Sequence, residues 1–109
     1  MARVLKREAA KRDLVAQWVW YAENSEIEVA DRFLEAVENT LSVLAAHPQI
    51  GSECGLTKTV LRGIRRCPVA DGFENMLLFY SPLEDGVDLL RVVHGRRDWE
   101  RLLAEGSFG

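Results

Sequence analysis

The apolar positions of the chain change their spacing twice, and those changes divide it into elements. Between Glu8 and about Asn24, the positions Leu14, Trp18, Tyr21 and Ala22 step by four, three and one. That places them on one stripe of a helix, with Lys11, Arg12, Gln17 and Glu23 turned away or toward its margins. Asn24-Ser25 breaks the pattern. Ser25 followed three residues later by Glu28 has the spacing of a capping box, in which the hydroxyl accepts a helix N–H and the carboxylate reaches back. In the next segment Ile27, Ala30, Phe33 or Leu34, Val37, Leu41 and Leu44 alternate steps of three and four, the period of a second, longer helix. Glu26, Glu28 and Asp31 sit in its first turns, where the helix dipole favours negative charge. His47-Pro48 ends it, because the residue before a proline is pushed out of the helical region. Two such helices joined by two residues lie antiparallel, as a helical hairpin.

After a loop containing Gly51 and Gly55 the period shortens to that of strands. Residues 60–69 read as a strand carrying alternating basic residues, with Gly63 as a bulge. Residues 74–80 contain the unbroken apolar run Met76-Leu77-Leu78-Phe79-Tyr80, the pattern of a strand buried on both faces. Pro82-Leu83-Glu84-Asp85-Gly86 is turn chemistry, and its Asp-Gly pair predicts a hairpin. Residues 87–94 form the returning strand, again apolar on both faces. Asp98 then caps a short helix over 99–105, which Gly106 terminates. Arg3-Val4-Leu5 reads as a short opening strand. Segregated helices and antiparallel strands give the α+β class: one domain over 1–109, its helical hairpin covering one face of a twisted antiparallel sheet made of a three-stranded meander and the first strand.

Composition narrows the class. With 109 residues, 48% hydrophobic and 28% charged, the chain has the mix of a globular domain with its own core. Its net charge of −3 argues against a dedicated nucleic-acid binder. The charge is uneven, however: residues 1–54 hold six Lys/Arg against nine Asp/Glu, and residues 55–109 hold eight of each. In the second half Lys58, Arg62, Arg65 and Arg66 precede the first acid, Asp71, as a local basic cluster. Cys54 and Cys67 have neither the spacing of a zinc site nor that of a disulfide framework. No apolar run has the length of a signal peptide or a membrane span, so the expectation is a reduced, cytoplasmic protein with no membrane contact.

Several stretches, in this order, resemble the ParE/RelE toxin family. Ala30-Asp31-Arg32-Phe33-Leu34 and His47-Pro48-Gln49-Ile50-Gly51 are similar to the second helix and exit loop of ParE-like members. Leu61-Arg62-Gly63-Ile64-Arg65-Arg66 and Phe73-Glu74-Asn75-Met76-Leu77-Leu78-Phe79-Tyr80 are similar to the first two meander strands. Leu90-Arg91-Val92-Val93-His94-Gly95-Arg96-Arg97-Asp98 resembles the Arg-Val-x-His-Gly-x-Arg-Asp signature that closes the sheet. The likeness runs from Glu8 to Leu103. It implies the toxin component of a type II toxin–antitoxin module, held in a hetero-oligomer by a cognate ParD-like antitoxin of the ribbon-helix-helix type. It also implies one of two actions. ParE-like members poison DNA gyrase by protein–protein contact, without direct DNA binding alone, whereas RelE-like members cleave messenger RNA on the ribosome. A third reading is a member that keeps antitoxin binding and has lost toxicity. Fold does not choose among them.

The nuclease reading needs an acid or base near the 2′-hydroxyl and cations for the scissile phosphate. Its candidates are Arg65, Arg91 and His94, from a wider set that includes Tyr80 and the other arginines. Alternation sends Arg62 and Arg66 to one face of their strand and Arg65 to the other, so not all converge. His94 is either an acid–base group or a strand-end residue that hydrogen-bonds the turn before Gly95. Where RelE-like nucleases place a tyrosine, this chain has Arg97-Asp98-Trp99. The reading adopted is therefore non-enzymatic, with Trp20, Arg62, Arg65, Arg66, Arg91, Arg96 and Arg97 as partner-binding residues. Trp20 lies off the buried stripe, and the arginines offer bidentate contacts to carboxylates; for Arg62, Arg65 and Arg66 the alternative is edge residues that keep a strand soluble. Trp18, Tyr21 and Phe33 are expected to pack the helices together, and Trp99 to anchor the last helix. Glu84, Asp85 and Asp88 read as a solvated hairpin tip and His47 as a helix-end cation; no metal or cofactor is expected.

Overall fold

The computed structural model describes residues 2–56, 61–106 and 108. Its elements are β1 (Arg3–Lys6), α1 (Glu8–Asn24), α2 (Ile27–Ala46), β2 (Ser52–Glu53), β3 (Arg65–Pro68), β4 (Met76–Leu83), β5 (Gly86–His94) and α3 (Trp99–Ala104). The sheet runs β1-β5-β4-β3-β2, with β1 parallel to β5 and every other pair antiparallel. The α+β class and the meander stand as expected, and two features are added. Ser52–Glu53 pairs with β3 as a fifth strand where only a loop was expected, and β1 enters parallel beside β5.

The spacing of α2 produces its packing. Ala30, Phe33, Val37, Leu41 and Leu44 are fully buried on one stripe, while Ile27, at the helix start, stays 57% exposed. The stripe meets Leu14 of α1, the sheet residues Leu78, Tyr80, Val87 and Leu89, and Val69 just past β3 in one core. A second cluster lies under the opposite sheet face, where Phe79, Leu90 and Val93 pack against Leu61, Ile64 and Leu103, with Trp99 and Leu102 alongside. Two covered faces explain why β4 and β5 are apolar at successive positions. Each large side chain so buried contributes roughly 1.5–3 kcal/mol.

The helix junction corrects the expected capping box. The N-cap of α2 is Glu26, without a side-chain cap bond, and Ser25 instead closes α1 by donating its N–H to Tyr21 O at 2.8 Å. With two residues between the helices, Ser25 is consumed as the end of the first. The expected strand over 60–69 is also shorter, Arg65–Pro68. Gly63, at φ +83°, makes a left-handed turn before the strand and is not a bulge within it. Val60 lies outside the described residues. Among the described residues a register irregularity falls instead between Phe79 and Tyr80 on β4.

The β4–β5 hairpin turns on Glu84 and Asp85 alone. Pro82 and Leu83 belong to β4, because a two-residue connection keeps the strands paired up to it. Gly86 is needed for β1: a Cβ there would collide with the Arg3 carbonyl, whose carbon is 2.6 Å from that position. Arg3 N–H donates to Asp85 O at 2.7 Å in the same place. At the far end Asp98 caps α3, accepting the Arg101 N–H at 3.3 Å, and Gly106 follows at φ +71°.

Candidate functional site

Two of the arginines singled out in the sequence are occupied within the fold. Arg91, at the open edge of β5 beyond the end of β1, donates to both carboxylate oxygens of Asp13 on α1, at 2.7 and 3.1 Å. Asp13 also accepts the Val92 N–H at 2.9 Å, so it supplies the edge partner that β1 no longer provides. Both side chains are more than four-fifths buried. The Asp13 hydrogen bonds raise the Arg91 guanidinium above its already high ordinary pKa, against the smaller lowering effect of burial.

Arg65 faces the helix side, opposite Tyr80, and donates to Gln49 O and Gly51 O at 3.0 and 2.6 Å. The Tyr80 hydroxyl accepts the Gly51 N–H at 2.9 Å and donates to Pro48 O at 2.8 Å. Together they fasten the exit loop of α2 to the sheet. Burial pushes the Tyr80 phenol up.

Arg66 takes the opposite face, as alternation predicts, and lies 5.0 Å from the ring centre of Trp99. Trp99 in turn packs on Phe79 at 5.3 Å, so it anchors α3. Arg62 lies exposed in the turn before β3, and Arg97 lies exposed before α3. Burial pushes the Cys54 and Cys67 thiols up, with Arg66 partly offsetting this for Cys54. Among the described residues no group of three or more His, Cys, Asp or Glu is placed to hold a metal, and no helix is long and apolar enough to cross a membrane.

The remaining predicted residues meet. Trp20, His94 and Arg96 line one groove of about 780 Å³ at the end of the helical hairpin, between α1, α2 and the turns at 71–75 and 94–96. Its aromatic wall is braced: Trp20 stands edge-on to Tyr21 at 5.3 Å, and Tyr21 stands edge-on to Phe73 at 5.5 Å and tilted on Phe33 at 5.2 Å. Trp20 nevertheless stays 54% exposed. Burial raises the Tyr21 phenol, which a Gln17 hydrogen bond partly lowers.

The floor is set by backbone. Asp71 adopts φ +59° and Gly72 φ +99°, and Glu74 accepts the Gly72 N–H at 3.0 Å. Thr40 of α2 ties this turn down by accepting the Ala70 N–H at 3.1 Å. Gly95 N–H donates to Asn75 O at 2.7 Å, joining the two turns. His94 Nδ1 accepts the Arg96 N–H at 3.1 Å, so the neutral ring carries its proton on Nε2. That is the turn-bonded reading of His94, at the rim of a groove.

Sequence reasoning missed Arg32, Phe73 and Asn75 in this lining. Arg32 had a readable signal: it is the one basic residue of α2, with Glu28 four before it and Glu35 three after. It forms an ion pair with neither.

Known proteins share the family and the fold of this chain. The sequence profile of the family described as "ParE toxin of type II toxin-antitoxin system, parDE" matches residues 4–99. A solved structure described as "Chromosomal ParDE TA system from P. aeruginosa" superposes with a TM-score of 0.67 at 15% identity, over 86% of this chain and 96% of that one, a likeness of fold. Comparison with curated protein sequences gives no match.

Proposed function

Because this chain belongs to the family of ParE toxins of type II toxin–antitoxin systems, we propose that it acts in the bacterial cytoplasm by inhibiting DNA gyrase through protein–protein contact. A ParD-like antitoxin of the ribbon-helix-helix type neutralises it by forming a hetero-complex. The observation that carries the non-catalytic half of this reading is the occupation of Arg65 and Arg91. Two of the three residues an RNA-cleaving site would use spend their donors on Gly51, Gln49 and Asp13 inside the fold. The third, His94, lies at the groove, bonded to the turn. A scissile phosphate needs cations preorganised toward one point and free to bind it.

The test is expression of this chain alone in bacteria, followed by purified assays. Inhibited supercoiling by gyrase, with filamentation, an induced SOS response and intact transcripts, is the expected outcome. Transcripts cut at codons with gyrase unaffected overturn the reading in favour of ribosome-dependent RNA cleavage. Unimpaired growth leaves a non-toxic member that only binds its antitoxin.

A further inference from the structure

The geometry points to the groove of Trp20, Arg32, Phe73, His94 and Arg96 as the docking site for an acidic segment of the antitoxin, one that carries an aromatic or branched apolar side chain as its anchor. This rests on the reading above that an antitoxin is the partner.

Arg3, Arg7, Arg65, Arg91 and Arg101 each hold a carboxylate, and Arg66 covers Trp99. Arg32 and Arg96 line the same groove, and neither guanidinium has a partner among the described residues. Arg32 declines two acids on its own helix that lie at pairing distance in sequence. Two residues with forked donors thus line one cavity together with His94, and Asp71 is the one acid among its described lining residues. Guanidinium forks take carboxylates bidentately.

Between these cations lies the aromatic wall. Trp20 is held from behind by Tyr21, and its carbonyl accepts from the Asn24 side chain at 2.9 Å. The exposed indole is therefore an ordered apolar surface that binds with little loss of side-chain freedom, as interface tryptophans do. An acidic peptide with one apolar anchor matches both halves.

Nucleic acid would also stack on an indole and pair with arginine. The surroundings oppose it. The helical hairpin that walls the groove carries eight Asp/Glu against three Lys/Arg over residues 8–46, and the chain is −3 overall. A phosphate backbone extends its charge well past a single groove and meets that acidic surface. A short acidic segment needs only the local match.

The test compares wild type with Arg32→Glu/Arg96→Glu and with Trp20→Ala, variants at a surface where no internal ion pair is lost. Each is expressed alone, then with the antitoxin whose co-expression restores growth to cells carrying the wild type. Affinity of the purified pair is read by calorimetry. Expected is affinity for the antitoxin weakened roughly 30-fold or more in both variants, with failed rescue wherever a variant arrests growth. Unchanged affinity in both variants overturns the proposal while leaving the proposed function standing. Lost toxicity with retained antitoxin binding also overturns it, and assigns the groove to the target. Micromolar binding of a single-stranded RNA 12-mer by wild type, abolished in the charge-reversed variant, overturns it in favour of nucleic acid. A wild-type chain that arrests growth yet binds no antitoxin removes the antitoxin half of the function itself, a result separable from the others.

Discussion

Replacing Asp13 by alanine removes three hydrogen bonds at once and tests whether Arg91 belongs to the scaffold. The carboxylate holds Arg91 Nε at 2.7 Å, a second guanidinium nitrogen at 3.1 Å and the Val92 N–H at 2.9 Å. Removing one partner of a buried pair costs about 3–5 kcal/mol, because the other charge is left without compensation. Here the side chains keep 14% and 18% of their exposure, so water reclaims part of that cost. The unpaired Val92 N–H adds about 1 kcal/mol. The sum is about 3–4 kcal/mol, which for a domain of this size lowers Tm by about 12–16 °C. Thermal unfolding followed by circular dichroism reads it directly. In Asp13→Ala/Arg91→Met, read against Asp13→Ala and Arg91→Met alone, the buried charge is gone with its partner, and at least half the loss returns. A Tm within 3 °C of wild type for Asp13→Ala, or strict additivity in the cycle, would show that Asp13 and Arg91 do not hold this edge of the sheet. The functional corollary is that Arg91→Ala and Asp13→Ala lose toxicity only in proportion to their loss of folded protein; an Arg91→Ala protein with unchanged Tm and abolished toxicity restores Arg91 to an active site.

Tyr80→Phe leaves Gly51 N–H and Pro48 O without their shared partner and lowers stability by about 2 kcal/mol in urea unfolding; equal stability of the two proteins argues against the loop latch. Gly51→Ala is worse, about 3 kcal/mol or more, because the added Cβ lies 2.8 Å from the Tyr80 ring and 2.9 Å from Arg66 O. Its rescue by Tyr80→Phe is at most partial, since the Arg66 carbonyl does not move with the ring. Stability also falls in alkali. The Cys67 thiol is raised above its ordinary 9.0 by burial, so the unfolded chain ionises first. That contribution is intact below pH 9 and is lost as pH rises through the higher folded value, joined by Tyr80 above its ordinary 10.0. Urea midpoints at pH 8 and pH 10 check this, and a Cys67→Ala protein with an undiminished decline would point elsewhere.

The parts of the fold legible in the sequence are those held by local periodicity. The stripe through Ala30, Phe33, Val37, Leu41 and Leu44 needs only its own spacing to announce a buried helix, and Met76 to Tyr80 needs only its continuity. What escaped depends on partners distant along the chain. Ser52–Glu53 is a strand because Arg65 and Arg66 pair with it, and nothing in Ser-Glu says so. The parallel entry of β1 is written in Gly86, where the absent Cβ admits the Arg3 carbonyl, yet Asp85-Gly86 alone reads as a turn. Ser25 and Glu28 match a capping box in spacing, but the shortness of the junction, not the motif, decides which helix Ser25 serves.

The same limit governs the arginines, and it bears on function. Alternation separated Arg65 from Arg66 correctly, since that depends on the pleat alone. It could not say that Arg91 would find Asp13, 78 residues earlier, or that Arg65 would find the carbonyls of a loop. A cation's availability is settled by which acids and carbonyls the tertiary fold brings to it, so counting basic residues overstates a binding surface. Arg96, for one, has no ion pair among the described residues. Arg32 goes further: it stands between Glu28 and Glu35 on its own helix without an ion pair among the described residues, while an exposed indole and the likewise unpaired Arg96 share its groove. An unpaired charge beside available partners spends nothing on stability, and its arrangement is the one a partner's carboxylates would complete.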